Sequence, residues 1–190
     1  MTLTPGLVEC PICRFTYFPD IPDDRHAHRR RHAEEMKTRR PKPNRRFADG
    51  ADVIVDEASP ARLHKLVYQR ARSLMRDEHF SSNPQWNPDC PPQAQGERLH
   101  AILLVEDSTP VGAVSFHYVT WTDEPAGWHL NFAWVAPPWR RKGVLTKRWP
   151  RWLATYGEFT LEQPFSAAMV NFLAKHGLAF DEDGLSEGTG

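Results

Sequence analysis

Residues 132–146 read FAWVAPPWRRKGVLT. The opening residues are apolar and strand-forming. Pro137 and Pro138 end the strand, because proline cannot donate to a sheet ladder. Arg140, Arg141 and Lys142 then lead into Gly143, and the residues that follow are helix-forming. A strand followed by a basic, glycine-bearing turn and a helix makes an anion site, where backbone N–H groups converge on the positive end of the helix dipole. Gly143 has no Cβ, so a phosphate can come close to its backbone. The predicted ligand is a pyrophosphate-sized anion.

The sequence on either side supplies a sheet. The strand that ends in this turn begins at GWHL, from residue 127. Before it, residues 100–106 and 111–121 read as a strand pair around the turn EDSTP. VIVDEA, from residue 53, is a further short strand. The segment after it carries Leu63, Leu66, Val67, Ala71 and Leu74 at helical spacing, with Ser59 as N-cap and Pro60 at the first helical position. Residues 81–97 hold four prolines and Cys90 and read as a loop. Beyond the basic turn a helical stretch contains Pro150, expected to kink or end its first part. A strand at EFTLEQ, a helix over 166–177 closed by Gly177, and a last strand LAF complete the order. The expectation is an α/β (α+β) fold, a mainly antiparallel sheet with helices on both faces.

The N-terminal stretch VECPICRFTYFPDIPDDRHAHRRRHAEEM, residues 8–36, carries different chemistry. Cys10 and Cys13 are spaced C-x2-C, so one turn can aim two thiolates at one ion. His26 with His32, or His28 with His32, would complete a Cys2His2 set. A helix N-capped by Asp23 or Asp24 decides between them. Positions i and i+4 share a helical face and positions six apart do not, so His28 and His32 are chosen. Four protein ligands leave no open position, which points to structural rather than catalytic zinc.

The chain has 190 residues, and 24 basic side chains balance 24 acidic ones, so bulk charge names no partner. Ten Lys or Arg lie between Arg25 and Arg46, against Glu34 and Glu35 alone. Three cysteines with one close pair make no disulfide framework. The N-terminus lacks a signal-peptide pattern, and no apolar run is membrane-length. The compartment expected is a bacterial or phage-host cytoplasm, or a nucleus. The divisions expected are a finger at 1–36, a basic linker at 37–52, a main domain at 53–181 and a disordered acidic tail at 182–190.

Strand, RRKGVL and helix together resemble the acetyl-CoA loop of the GCN5-related N-acetyltransferases (GNAT), with Arg140 and Gly143 matching and Leu145 where a small residue is usual. The single finger is similar to that of the Eco1/ESCO cohesion acetyltransferases: Cys10, Cys13, FTYFPDIPDD, His28 and His32. QPFSAAMVNFLAKHG resembles that branch's late segment, but Phe165, Ser166 and Ala167 replace its acidic and Ser/Thr residues, and the insertion near residues 121–127 is short. The resemblance implies that backbone groups of Trp134 and Val135 hold the pantetheine arm. It likewise implies that Arg140, Arg141, Lys142, Gly143, Val144, Leu145 and Thr146 hold the pyrophosphate. The tyrosine that is usually the general acid would fall near Leu173.

Acetyl transfer requires a neutral amine, and an ammonium near pKa 10.4 must lose its proton. His129 and Glu162, on the strands before and after the turn, are the candidate bases, with Asp123 and Glu124 in the shortened insertion as further carboxylates and His117 as a strand residue. The partners implied are acetyl-CoA and a protein lysine. A small amine, a catalytically inactive zinc-finger scaffold, and nucleic acid bound through the basic finger and linker are the alternatives.

Overall fold

The computed structural model describes residues 6–79, 86, 99–120, 126–161 and 165–176. The loop around Cys90, residues 121–125 with Asp123 and Glu124, Glu162, the strand expected at 178–180 and the tail lie outside the described residues, as does Gly177. A small hairpin of β1 (Val8–Glu9) and β2 (Thr16–Tyr17) precedes α1 (Pro22–Arg39). Then come β3 (Val53–Val55), α2 (Ala61–Glu78), β4 (Leu99–Glu106), β5 (Thr109–Val119) and β6 (Gly127–Val135). α3 (Trp149–Tyr156), β7 (Thr160–Leu161) and α4 (Ala167–Lys175) follow. The main sheet runs β3-β4-β5-β6-β7, antiparallel except for the parallel β6–β7 pair. This is the mixed, mainly antiparallel architecture expected from the order of elements.

Each face of the sheet has its own core. Leu99, Ala101, Leu103 and Val105 of β4 pack towards α2 with Val67, Ala71 and Trp134. Ile102 and Leu104, the alternate residues, pack with Trp149, Trp152, Tyr156 and Leu173 on the other face. The near-continuous apolar run in β4 therefore reflects burial on both sides. Trp86 joins the α2 face, fully buried, with its indole N–H donating to Ser115 Oγ at 2.8 Å.

Local chemistry departs from expectation in several places. The β4–β5 turn is two residues, Asp107 and Ser108, both with positive φ, which matches the twist of a tight hairpin. β5 therefore begins at Thr109 rather than 111, and a bulge places Val111 beside the pairings Leu104↔Gly112 and Val105↔Pro110. Pro110 lacks the N–H a regular ladder needs, and its carbonyl accepts from buried Arg70. Ser59 does not cap α2; its hydroxyl donates to Asp56 at 2.8 Å, and Pro60 takes the cap position. Pro150 begins α3 instead of kinking it, since the first turn needs no donor there.

Residues 37–52, expected as a linker, contribute in part to the fold. Lys37 to Arg39 continue α1, and Phe47 of a 3₁₀ helix (Arg45–Phe47) enters the α2-face core.

Candidate metal centre and phosphate-binding turn

Cys10 and Cys13 sit in the turn between β1 and β2, which is closed by Cys10 N–H to Phe15 O at 3.0 Å and Arg14 N–H to Cys10 O at 2.9 Å. Arg14 takes a positive φ to make this turn. His28 and His32 lie one turn apart on α1, and the four ligand atoms all fall within 4.8 Å of one another. His26 is exposed and outside the group. α1 starts with Ile21 as an uncapped N-cap and Pro22 behind it; Asp24 instead accepts from Phe18 N–H at 3.0 Å.

The donor set fits zinc. Among the described residues, buried His28 Nε2 has no hydrogen-bond partner, a cost that a metal would remove. Burial pushes the Cys10 thiol up, but backbone N–H groups at Cys13 and Ile12 and the nearby imidazoles outweigh it and lower it to about 6. Burial raises the Cys13 thiol. Tyr17 stacks on His28 at 4.1 Å and fixes the ring plane. The hairpin itself is slight, since β1 and β2 have two residues each, so a metal would add much to it.

The turn after β6 is the basic, glycine-bearing stretch expected to take an anion. A 3₁₀ helix (Pro137–Trp139) reverses the chain, and Arg141 and Gly143 both take positive φ. Among the described residues, the N–H groups of Gly143, Val144, Leu145 and Thr146 find no acceptor. A Cβ on Gly143 would meet nothing within 4 Å, so the space above it is open. Arg141 is exposed and Lys142 lies 5.2 Å over the Trp139 ring. Val144 is buried and Leu145 packs on the α3-face core, so the bulk of Leu145 is taken up by packing. Thr146 Oγ1 lies 3.3 Å from His176 Nε2.

Arg140 is already engaged. It donates to Val135 O at 2.8 Å and to Asp77 at 2.7 Å. At the far end of the turn, buried Arg148 donates to Asp52 at 2.6 and 2.7 Å, to Glu106 at 2.6 Å and to the Val144 carbonyl at 2.9 Å. Asp77 and Arg148 escaped the sequence reading. Both look like ordinary surface charges there, and no local pattern marks their partners.

β6 carries a second bulge. Ser115 pairs with Phe132 but Phe116 pairs with Leu130, leaving Asn131 as the extra residue. The bulge switches which face even-numbered residues meet: Leu130 belongs to the α3 side, Phe132 and Trp134 to the α2 side. Ala136 N–H donates to Val111 O at 2.8 Å, so by antiparallel alternation Trp134 directs its peptide groups at β5 and Val135 directs them outward. Of these two residues, Val135 is the one whose peptide groups face the strand edge. His129 is buried, bonded through Nδ1 to the Thr160 hydroxyl, and stacks on His117 at 5.4 Å. Leu173 is fully buried in α4 and offers no acid.

Comparison with known proteins bears on the N-terminal part. Residues 3–34 match the zinc-finger of acetyl-transferase ESCO. The ESCO-type finger thus coincides with the Cys10, Cys13, His28 and His32 cluster. No curated protein matches the chain. Among solved structures, a point mutant of the BH1408 protein from Bacillus halodurans is 17% identical, with TM-score 0.47 over 73% of this chain and 99% of that one. An aminoglycoside acetyltransferase, meta-AAC0020, from an uncultured soil metagenomic sample and solved with sisomicin, is 12% identical, with TM-score 0.43 over 69% and 88%. These likenesses are loose, and the architecture stands on its own strand order and register. No described helix is long and apolar enough to cross a membrane.

Proposed function

We propose that the protein is an N-acetyltransferase that moves acetyl from acetyl-CoA to a protein lysine. The observation that carries this is the turn at residues 140–146. Four consecutive N–H groups lack acceptors among the described residues, Gly143 lies open, and Arg141 and Lys142 stand at the surface, directly after a bulged strand. The ESCO-type finger supports a protein acceptor, because a small amine gives no reason for a docking module.

In this reading the N–H groups of residues 143–146, with Arg141 and Lys142, hold the pyrophosphate, and Val135 holds the pantetheine arm along β6. Arg140 braces the turn through Asp77 and Val135. The amine nitrogen attacks the thioester carbonyl carbon, the C–S bond breaks and CoA leaves as thiolate. A thiol of pKa about 8.5 is a competent leaving group near neutrality, so an acid in the position of Leu173 is dispensable. An outward-facing N–H of β6 stabilises the carbonyl oxygen as its charge develops. His129 is the base. Its ring is held through Nδ1 by the Thr160 hydroxyl, which fixes the orientation of the imidazole that takes the amine proton.

Calorimetric titration with acetyl-CoA tests the turn. Wild type and Gly143→Ala should bind, the alanine costing only the backbone strain of its positive φ, on the order of 1 kcal/mol. Gly143→Glu should not bind, because it puts bulk and negative charge over the N–H groups. Equal binding by the glutamate variant, or none by folded wild type, overturns the reading.

A further inference from the structure

α1 repeats a pair of functional residues every seven positions. His28 and His32 are positioned to bind a metal ion, and Glu35 and Arg39 follow them by seven residues each. Seven residues are close to two helical turns, so the second pair lies on the same face, about 10 Å along the axis. That face plugs into α2. Buried Glu35 accepts from Ser73 at 2.8 Å and from Arg76, and Arg39 donates to Glu35 at 2.8 Å. The other arm of Arg39 grips Asp77.

Asp77 is an unexpected carboxylate. It occupies the last turn of α2, where the helix dipole disfavours negative charge, and its side chain is 14% exposed. Three donors from three different elements hold it: Arg39 of α1, the Trp134 indole of β6 at 3.2 Å, and Arg140 of the turn at 2.7 Å. Arg140 in turn lies over the Trp134 ring at 5.9 Å. The zinc-bearing helix and the first residue of the phosphate turn therefore share one carboxylate.

We propose that Asp77 is a positioning residue through which the metal-bound helix sets the phosphate turn: the metal fixes the rotation of α1, Arg39 fixes Asp77, and Asp77 fixes Arg140. This rests on the reading of residues 140–146 as the acetyl-CoA turn. Without the metal, α1 loses the constraint that points Arg39 at Asp77. Asp77 is then held by the Trp134 indole and Arg140 alone, so it fixes Arg140 less firmly and the turn loses part of its preorganised form.

The test is calorimetric binding of CoA to zinc-loaded wild type, Asp77→Asn, Arg39→Met and the double variant. Near-UV circular dichroism reports the fold, and the visible spectrum of the cobalt-loaded finger reports the metal site. Each single variant should weaken CoA binding about ten- to a hundredfold, the scale of one charge-assisted contact. The double variant should be no worse than Asp77→Asn alone, with the cobalt spectrum unchanged, and chelation of zinc should add nothing to Arg39→Met. If Arg39→Met loses its near-UV signal, Arg39→Lys replaces it; it keeps the charge without the fork and has the same expected sign. If wild type binds CoA and the single variants bind equally well, or their losses simply add, the coupling is refuted while the turn assignment stands. If wild type does not bind CoA, the turn assignment falls and the coupling falls with it.

Discussion

Replacing Arg148 with methionine removes the cation that fastens the end of the basic turn after β6 to the sheet. The arginine side chain is 8% exposed and holds Asp52 through two contacts and Glu106 through one, besides the carbonyls of Val144 and Val105. Burial alone would lower its pKa, but the two carboxylates outweigh that and raise it. Breaking a buried pair by removing one partner costs about 3–5 kcal/mol, mostly from the charge left behind. Asp52 and Glu106 are 13% and 16% exposed, and Glu106 keeps Lys147, so water and a second cation offset part of this. Methionine retains apolar contact, which leaves an expected loss of about 2–4 kcal/mol. For a chain of this size that lowers Tm by about 5–15 °C. Urea unfolding, followed by tryptophan fluorescence and far-UV circular dichroism, measures it, and m should not change. Adding Asp52→Asn and Glu106→Gln to Arg148→Met should recover at least half of the loss, since orphaned charge is its main source. A loss under about 1 kcal/mol, or no recovery in the triple variant, would refute this account and class the cluster with solvated surface pairs.

Cys10→Ser, or removal of zinc by a chelator, should open residues 8–36 to protease before the sheet domain is cut; full protease resistance in the zinc-free chain would show that packing alone holds the finger. Glu106 is driven up by burial, but Lys147 and Arg148 outweigh this and hold its carboxyl below the usual range. Its stabilising contribution is therefore complete above the unfolded value, about 4, and lost as pH falls through the lower folded value. The stability gap between wild type and Glu106→Gln should accordingly be constant near neutrality and close in acid. A gap unchanged down to about pH 2 would mean that the carboxylate gains nothing from its cations.

Much of this molecule was legible locally. Apolar runs and their alternation located β4, β5, β6 and α2, because burial on one or both faces dictates residue type directly. Helical spacing alone separated His28 from His26 as the partner of His32, and the structure gathers the same four ligands. Element starts were less legible. Asp24, Ser59 and Pro150 are all good capping or breaking residues, and each serves a neighbouring turn or a position one or two residues away. The hydrogen bond that decides between such positions is made only once the chain has turned.

The sequence by itself determined the finger and its four candidate ligands, the order of the described strands and helices of the main sheet, and the basic glycine turn after β6, since each is written in residues within a few positions of one another. Only the tertiary structure decided the bulge at Asn131, which redirects β6, and the grip of Asp77 and Arg148 on the two ends of the turn. Asp77 meets Arg140 across 63 positions and Asp52 meets Arg148 across 96. Contacts so distant leave no periodicity to read, because their energy comes from burial and charge that exist only after the sheet has brought the elements together.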